Sequence, residues 1–551
     1  MSASSKKKLR KEQNAAALTE KQRAEQKEAK KLKAYSISFI AIMLVVVITA
    51  ASVMTVTGLN RSGIFQRNTI AAVVADREIN TVEMTYFLKD TISKTYNEWA
   101  DLYGDYTSLY VSWLLNLDLS KAISKQEYSE GVTWADHFMD LALEDAKANH
   151  ALCELAKKNN FQLSEDDVKE MEDSLGYMEF YSQLYGYKNM DAYLQSIYGF
   201  GATLESYKAY VERATLAQAY YNHIYDSKTY DAEAIRAYEE GKFDNYSSFT
   251  FAMYTLSYTN YLPEGTKDED GNVTYTDEQI ADAKKQAEED AKTLTAAKNL
   301  TELNAAIAAL PINKDKKDVA ASEAKKVLYS QINKTYGEWL ANKDRQENDI
   351  TYIADITTSK DEDGNEVETL NGYYVVLFQS RNDNYRALAN VRHLLVKFEG
   401  GTKDSNGNVT YSDAEKNKAK EEAEGYLKTW KEGKATEASF IELVKAHTDD
   451  SSKETGGLYE NITPDSNYVT SFLEWSIDEN RKAGNTEVIE SEYGYHVMYY
   501  VGDSDVSYRD HLITNDMRNE DMEKWYNEVV GPYTASFKDL SRMDLDLVIA
   551  G

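Results

Sequence analysis

The segment GTKDEDGNVTYTD at 265–277 returns nearly unchanged as GTKDSNGNVTYSD at 401–413, and this repeat constrains the fold more than any other feature of the chain. Each copy follows a β-rich run, SSFTFAMYTLSY (247–258) and ALANVRHLLVKF (387–398). Each precedes a charged helical pattern, EQIADAKKQAEEDAKTL (278–294) and AEKNKAKEEAEGYLKTW (414–430). The copies also end alike: EWLANKDR with NGYYVVLF (338–378) matches EWSIDENR with YGYHVMYY (474–500). Matching beginnings and ends imply two tandem domains of one fold, each β–α…β, predicted at 244–384 and 385–503. The acidic turns inside the repeat invite a calcium reading, but their ligands are too few and wrongly spaced for an EF-hand. They read as hairpin turns.

A second constraint is a run without charge. From Ala34 to Asn60 no charged side chain interrupts an apolar stretch, which exceeds the ~20 residues that cross a bilayer as a helix. Residues 1–33 hold eleven Lys/Arg against four Glu, and a basic flank stays on the cytoplasmic side. The expectation is a cytoplasmic basic segment 1–33, a transmembrane helix 34–58 in the lipid bilayer, and an extracytoplasmic remainder. A cleaved signal peptide, processed near Thr49-Ala50-Ala51-Ser52, is the rival; its apolar core would usually be only ~7–15 residues. With a formal net charge of −30 overall and +7 in the flank, the remainder carries −37. A nucleic-acid partner is not expected, because the folded part offers no basic bias. The single cysteine, Cys153, rules out an internal disulfide and Cys-pair zinc sites.

Residues 59–243 are predicted to be mostly helical. Val82, Met84, Phe87, Leu88 and Ile92 show helical spacing, and Ser164 and Asn189 read as helix starts. Tyr177, Tyr181, Tyr185, Tyr187, Tyr193 and Tyr198 fall close together. A tyrosine offers a rigid apolar body with a polar tip, suited to an adaptable binding surface, though ordinary helix packing also accounts for such rings. A C-terminal helical segment is expected over 504–551, with an apolar stripe that includes Met522, Trp525 and Val529.

The second copy carries four ordered blocks: Val391-Arg-His-Leu-Leu-Val; Phe440 to Ser452 (FIELVKAHTDDSS); Gly456-Gly-Leu-Tyr; and Tyr493-Gly-Tyr-His-Val-Met. Together they resemble the parvulin family of peptidyl-prolyl cis-trans isomerases over about residues 387–502. The wider layout resembles extracytoplasmic foldases of the PrsA and SurA kind. The fold class this implies is α+β multidomain: one transmembrane helix, a helical chaperone region, two tandem parvulin-like domains and a C-terminal helix. The resemblance assigns His393 and His496 as paired histidines, Asp450 to the family's Cys/Asp position and Ser491 to its Thr/Ser position. It assigns Leu458, Tyr468 and Phe472 to the proline-ring pocket. The family usually has Met at the place of Tyr468, and here Asp465-Ser466-Asn467 intervenes. Rotation about an X–Pro amide needs neither a covalent step nor a metal or cofactor, because only resonance must be overcome. The implied partners are unfolded or partly folded exported polypeptides.

The first copy lacks the set. Tyr374 stands where the second has His496, Met253 lies roughly opposite His393, and the Gly-Gly-Leu block is missing. It is expected to keep the fold without the polar pocket. Three functions follow from these readings: an isomerase with a holding cradle, a catalytically inactive holdase, or an envelope protein using the folds as spacers.

Overall fold

The computed structural model describes residues 59, 61–267, 273–360, 365–403 and 409–549. The predicted basic segment, the membrane helix 34–58 and the tips of both repeat turns lie outside these residues. Among the described residues no helix is long and apolar enough to cross a membrane. The chain forms two compact units: one runs to Lys228 and resumes from Asp521, and the other is Thr229–Glu520.

The first unit is built on helices α1 (Thr81–Tyr103), α2 (Trp134–Lys158), α3 (Glu165–Leu184) and α4 (Leu204–Ser227). Their starts are local. Asn80 accepts from the Glu83 amide at 3.0 Å, and Thr133/Asp136 and Ser164/Asp167 form reciprocal capping boxes. Each cap contributes ~1 kcal/mol. Met84 and Leu88 of α1 meet Phe138 and Met139 of α2 in the core.

The helical reading missed a small sheet. Strands β1 (Ile70–Val74) and β2 (Arg77–Asn80) form a hairpin, and the distant strand Ala535–Phe537 pairs antiparallel with β1, Val73 opposite Ser536. The C-terminal segment is therefore helical only to Val530, and beyond it the described residues form one short strand and turns. Trp525 packs on Leu152, Cys153 and Tyr220 of the same unit. The tyrosines divide: Tyr198 sits edge-on to Tyr86 in the core, while Tyr177 and Tyr185 are about two-thirds exposed.

The second unit holds two four-stranded antiparallel sheets. One consists of β3 (Ser248–Ser257), β4 (Ser322–Leu328), β5 (Ile350–Lys360) and β6 (Glu366–Asn382), in the order β4-β3-β6-β5. The other consists of β7 (Ala387–Lys397), β8 (Leu458–Ile462), β9 (Thr486–Ser491) and β10 (Gly494–Ser507), in the order β8-β7-β10-β9. The two orders are the same. Helices α5 (Asp277–Leu294) and α6 (Leu300–Ala309) cover one face of the first sheet, and the short helix α7 (Lys334–Ala341) covers the other. In the second sheet α8 (Asp413–Glu432) and α9 (Glu437–His447) take the first role, and α10 (Thr470–Ser476) takes the second. Both repeat turns carry small two-stranded ribbons, Thr266–Lys267 with Val273–Thr274 and Thr402–Lys403 with Val409–Thr410.

Arg509, in the first turn of α11 (Tyr508–Val530), joins the sheets. It is fully buried, donates to the Glu239 carboxylate and to the carbonyls of Phe243 at 2.6 Å and Asp383 at 3.0 Å, and lies 4.0 Å from the Phe243 ring centre. A buried guanidinium persists because its donors are met by carboxylate and carbonyl oxygens.

Candidate active site

Antiparallel pairing of β7 with β10 puts His393 opposite Met498 and Leu395 opposite His496. Side chains alternate along a strand, so His393 and His496 emerge on one face as diagonal neighbours. Their Nδ1 atoms are 3.0 Å apart and their rings lie 19° from parallel. His496 Nε2 is 2.8 Å from Ser491 Oγ at the end of β9. On the other side Asp450 Oδ1 lies 3.4 Å from His393 Nε2. That approach is electrostatic and not an aligned hydrogen bond, so the buried Nε2 has no hydrogen-bond partner among the described residues. Both imidazoles are almost inaccessible, at 3% and 4%.

Charge fixes the direction of this chain. If His393 Nε2 carried only a lone pair, it would face a carboxylate. The consistent tautomers therefore put N–H at His393 Nε2 toward Asp450. One Nδ1–H is shared between the two rings, and His496 Nε2 is hydrogen-bonded to the Ser491 hydroxyl. Burial, with a further push from His393, brings the His496 pKa down to about 4, which keeps that ring neutral. Burial alone would raise the Asp450 carboxyl. Its contacts with His393 and with the hydroxyl and amide of Ser452 outweigh burial and hold it well below the usual carboxylate range.

Local structure positions each member. Helix α9 ends at His447, and the exit loop is stapled along β7: the Leu395 amide donates to Thr448 Oγ1 at 3.0 Å and the Lys397 amide to Asp449 at 3.0 Å. Asp450 then caps the turn Ser451–Lys453. Gly457 has φ +70°, and a Cβ there would sit 2.2 Å from the His393 carbonyl oxygen. Only glycine allows the chain this close to β7.

A cleft of about 710 Å³ opens over His393, His496, Asp450 and Ser491. Its apolar wall is aromatic: Tyr459, Tyr468 and Phe472 meet edge to face at 5.3–5.6 Å, and Phe472 stands 5.2 Å from the His393 ring. Six of the seven residues expected at the site line this cleft. Leu458 does not. Cross-strand partners share a face, and Leu458 pairs with Arg392, which turns toward Glu437 of α9. Tyr459, one residue on, pairs with Val391 and faces the cleft, and its hydroxyl donates to Asp450 at 3.1 Å. Burial and then the nearby Asp450 push Tyr459 up to about 12, so it remains a donor. Only the register of β8 against β7 separates Tyr459 from Leu458.

Residues 359–502 match the family of the PPIC-type PPIASE domain. The chain carries a parvulin-type peptidyl-prolyl isomerase domain. The match takes in all four strands of the second sheet, the last as far as residue 502, and begins inside the last hairpin of the first. Solved structures similar to the chain include PrsA from Bacillus subtilis, at 11% identity over 73% of this chain and 88% of that one, with a TM-score of 0.25. The foldase protein PrsA from Streptococcus pneumoniae is 15% identical over 47% and 78%, with a TM-score of 0.20. The peptidylprolyl isomerase PrsA from Bacillus anthracis is 21% identical over 27% and 59%, with a TM-score of 0.16. No curated protein matches the sequence. In the isomerase domain the cleft combines an apolar wall, a closely stacked imidazole pair and one fixed carboxylate. No thiol lies among its lining residues.

Proposed function

We propose that the chain is a membrane-anchored extracytoplasmic foldase, which isomerises X–Pro bonds of exported polypeptides at the cleft of β7 and β10 and holds those polypeptides with its first unit. The observation that carries this reading is the ordered Ser491–His496–His393–Asp450 chain beneath an aromatic wall. A planar amide places partial negative charge on its oxygen, and the twisted amide carries less. With the proline ring against Tyr459, Tyr468 and Phe472, an anionic Asp450 near that oxygen disfavours the planar form and lowers the barrier. The histidine pair holds Asp450 in place beside the cleft. The uncharged stretch 34–58 with its basic flank supports the anchor and its orientation.

Uncatalysed exchange takes tens to hundreds of seconds, so modest catalysis is measurable. In a protease-coupled assay the purified chain should accelerate exchange in X–Pro peptides, and Asp450→Ala should slow it strongly while costing about 1–2 kcal/mol from the lost turn cap. A folded chain with no rate above background on a panel of such peptides would overturn the isomerase reading and put the holdase reading in its place. Protease added to protoplasts should digest the chain beyond residue ~65 and spare an N-terminal tag, as expected for a single outward-facing span.

A further inference from the structure

A second cleft, of about 810 Å³, lies wholly within the first unit, between α1, α2, α3 and α4. Its floor is apolar and buried, with Phe87, Leu152 and Ala217 between 4% and 6% exposed. Against that floor stands Asn149 of α2, 7% exposed, and its Oδ1 has no hydrogen-bond partner among the described residues. Buried amides are nearly always paired, so an unpartnered one lining a cleft marks a place for a partner. An asparagine amide has both a donor and an acceptor edge, the complement of a peptide group.

The charges around Asn149 select the partner further. Asp90, Asp145, Asp167 and Glu170 line the cleft against a single basic side chain, Lys94. Asp167 is committed to its capping box. Asp90 accepts from Tyr210 at 2.6 Å and Asp145 from Thr91 at 2.7 Å, which leaves each carboxylate further acceptor capacity. No group of three metal-ligating side chains converges among the described residues, so the geometry favours an organic cation over a metal ion. Met171 and Tyr221 offer adaptable surface for an aliphatic stem below a charged head.

We propose that this cleft binds a basic, extended segment of an unfolded polypeptide, with a peptide group on Asn149 and a Lys or Arg head among Asp90, Asp145 and Glu170. The inference rests on the reading of the first unit as the client-holding part, and adds which clients it prefers. The test uses the full chain and a fluorescent proline-free peptide, Gly-Leu-Lys-Ser-Leu-Lys-Gly-Ser-Leu-Lys, beside its analogue with Glu at each Lys. Anisotropy at low salt should show the Lys peptide bound at least ~10-fold tighter. Asn149→Leu should weaken it roughly tenfold. Glu170→Gln, at an exposed position where the fold is not at stake, should weaken it roughly threefold and flatten its salt dependence. Exchange rates on X–Pro peptides should be unchanged in both variants. Equal affinity for the two peptides, or Lys-peptide binding unaltered in both variants, overturns the basic preference and leaves the holding role intact. Binding of neither peptide, with no suppression of aggregation, overturns the holding role itself.

Discussion

The two sheets of the second unit follow one strand order and differ in what stands on one face. Pairing register makes the comparison residue by residue. Met253 lies opposite Val376 as His393 lies opposite Met498, so Met253 holds the place of His393 and Tyr374 that of His496. Asp355 pairs with Gly372 as Ser491 pairs with Gly494, and Tyr336 on α7 stands for Phe472 on α10. The framework is the same: Arg345 lies 4.1 Å over Trp339 and Arg481 lies 4.3 Å over Trp475. In the first sheet Tyr336 and Tyr374 meet at 5.3 Å; in the second, Phe472 and His496 meet at 5.9 Å. A sheet face has only to be filled to hold the fold. A hydrogen-bonded histidine pair that aims a carboxylate is an extra requirement, and only the second sheet meets it.

The sharpest way to break this comparison is to give the second sheet the first one's residues. The double variant His393→Met, His496→Tyr should lose about a thousandfold in exchange rate, ~4 kcal/mol at 1.4 kcal/mol per tenfold. Its melting temperature should move by only a few degrees, since the first sheet already tolerates these residues. A double variant keeping more than a tenth of the rate would sink the site assignment.

Acid should separate the sheets next. His496 is neutral in the fold, with a pKa of about 4 against 6.5 for an ordinary histidine. The unfolded chain therefore binds the extra proton between those values. Stability from neutral His496 is fully present above pH 6.5, falls as pH drops, and stops falling near 4. The difference amounts to roughly 3 kcal/mol, an upper figure. Denaturant melts at pH 7, 5.5 and 4 should show this slope in the native chain and a flatter one in the double variant. A native curve level across the window would contradict a buried neutral ring.

Backbone contact gives a smaller contrast. Gly457→Ala forces a Cβ at φ +70° into the His393 carbonyl and should cost about 1–3 kcal/mol in denaturant melts. In the first sheet Ser322 pairs with Met253 as a regular strand residue, and Ser322→Ala should stay within ~0.5 kcal/mol. Equal costs at the two positions would mean the glycine turn is not what brings β8 against β7.

The smallest effect is expected at Tyr374, pushed up to about 12 by burial and by the neighbouring Asp355. Tyr374→Phe removes the hydroxyl and should cost ~1 kcal/mol while leaving the exchange rate untouched. A change in rate would mean that the first sheet takes part in catalysis.

What the sequence determined by itself is what local chemistry encodes. Ser164 and Asn189 start helices because a short polar side chain meets the free amides of the first turn, whatever the rest of the chain does. The β-rich run ALANVRHLLVKF and the ending YGYHVMYY, through their resemblance to the parvulin family, put both histidines on strands, and the repeated turns and paired endings carried the doubling of the sheet. Tertiary structure decided whatever depends on which strand meets which. Leu458 and Tyr459 are equally plausible wall residues until β8 is registered against β7, and a shift of one residue exchanges their faces. The strand Ala535–Phe537 joins a hairpin more than 450 residues earlier, and Arg509 finds its partners on segments from 239 to 383; no periodicity spans such separations. The tyrosines of 177–198 look alike in sequence, yet Tyr198 is enclosed by Tyr86 and Tyr207 while Tyr177 faces solvent. Burial belongs to the neighbours that long-range pairing supplies, and a residue's own chemistry cannot specify them.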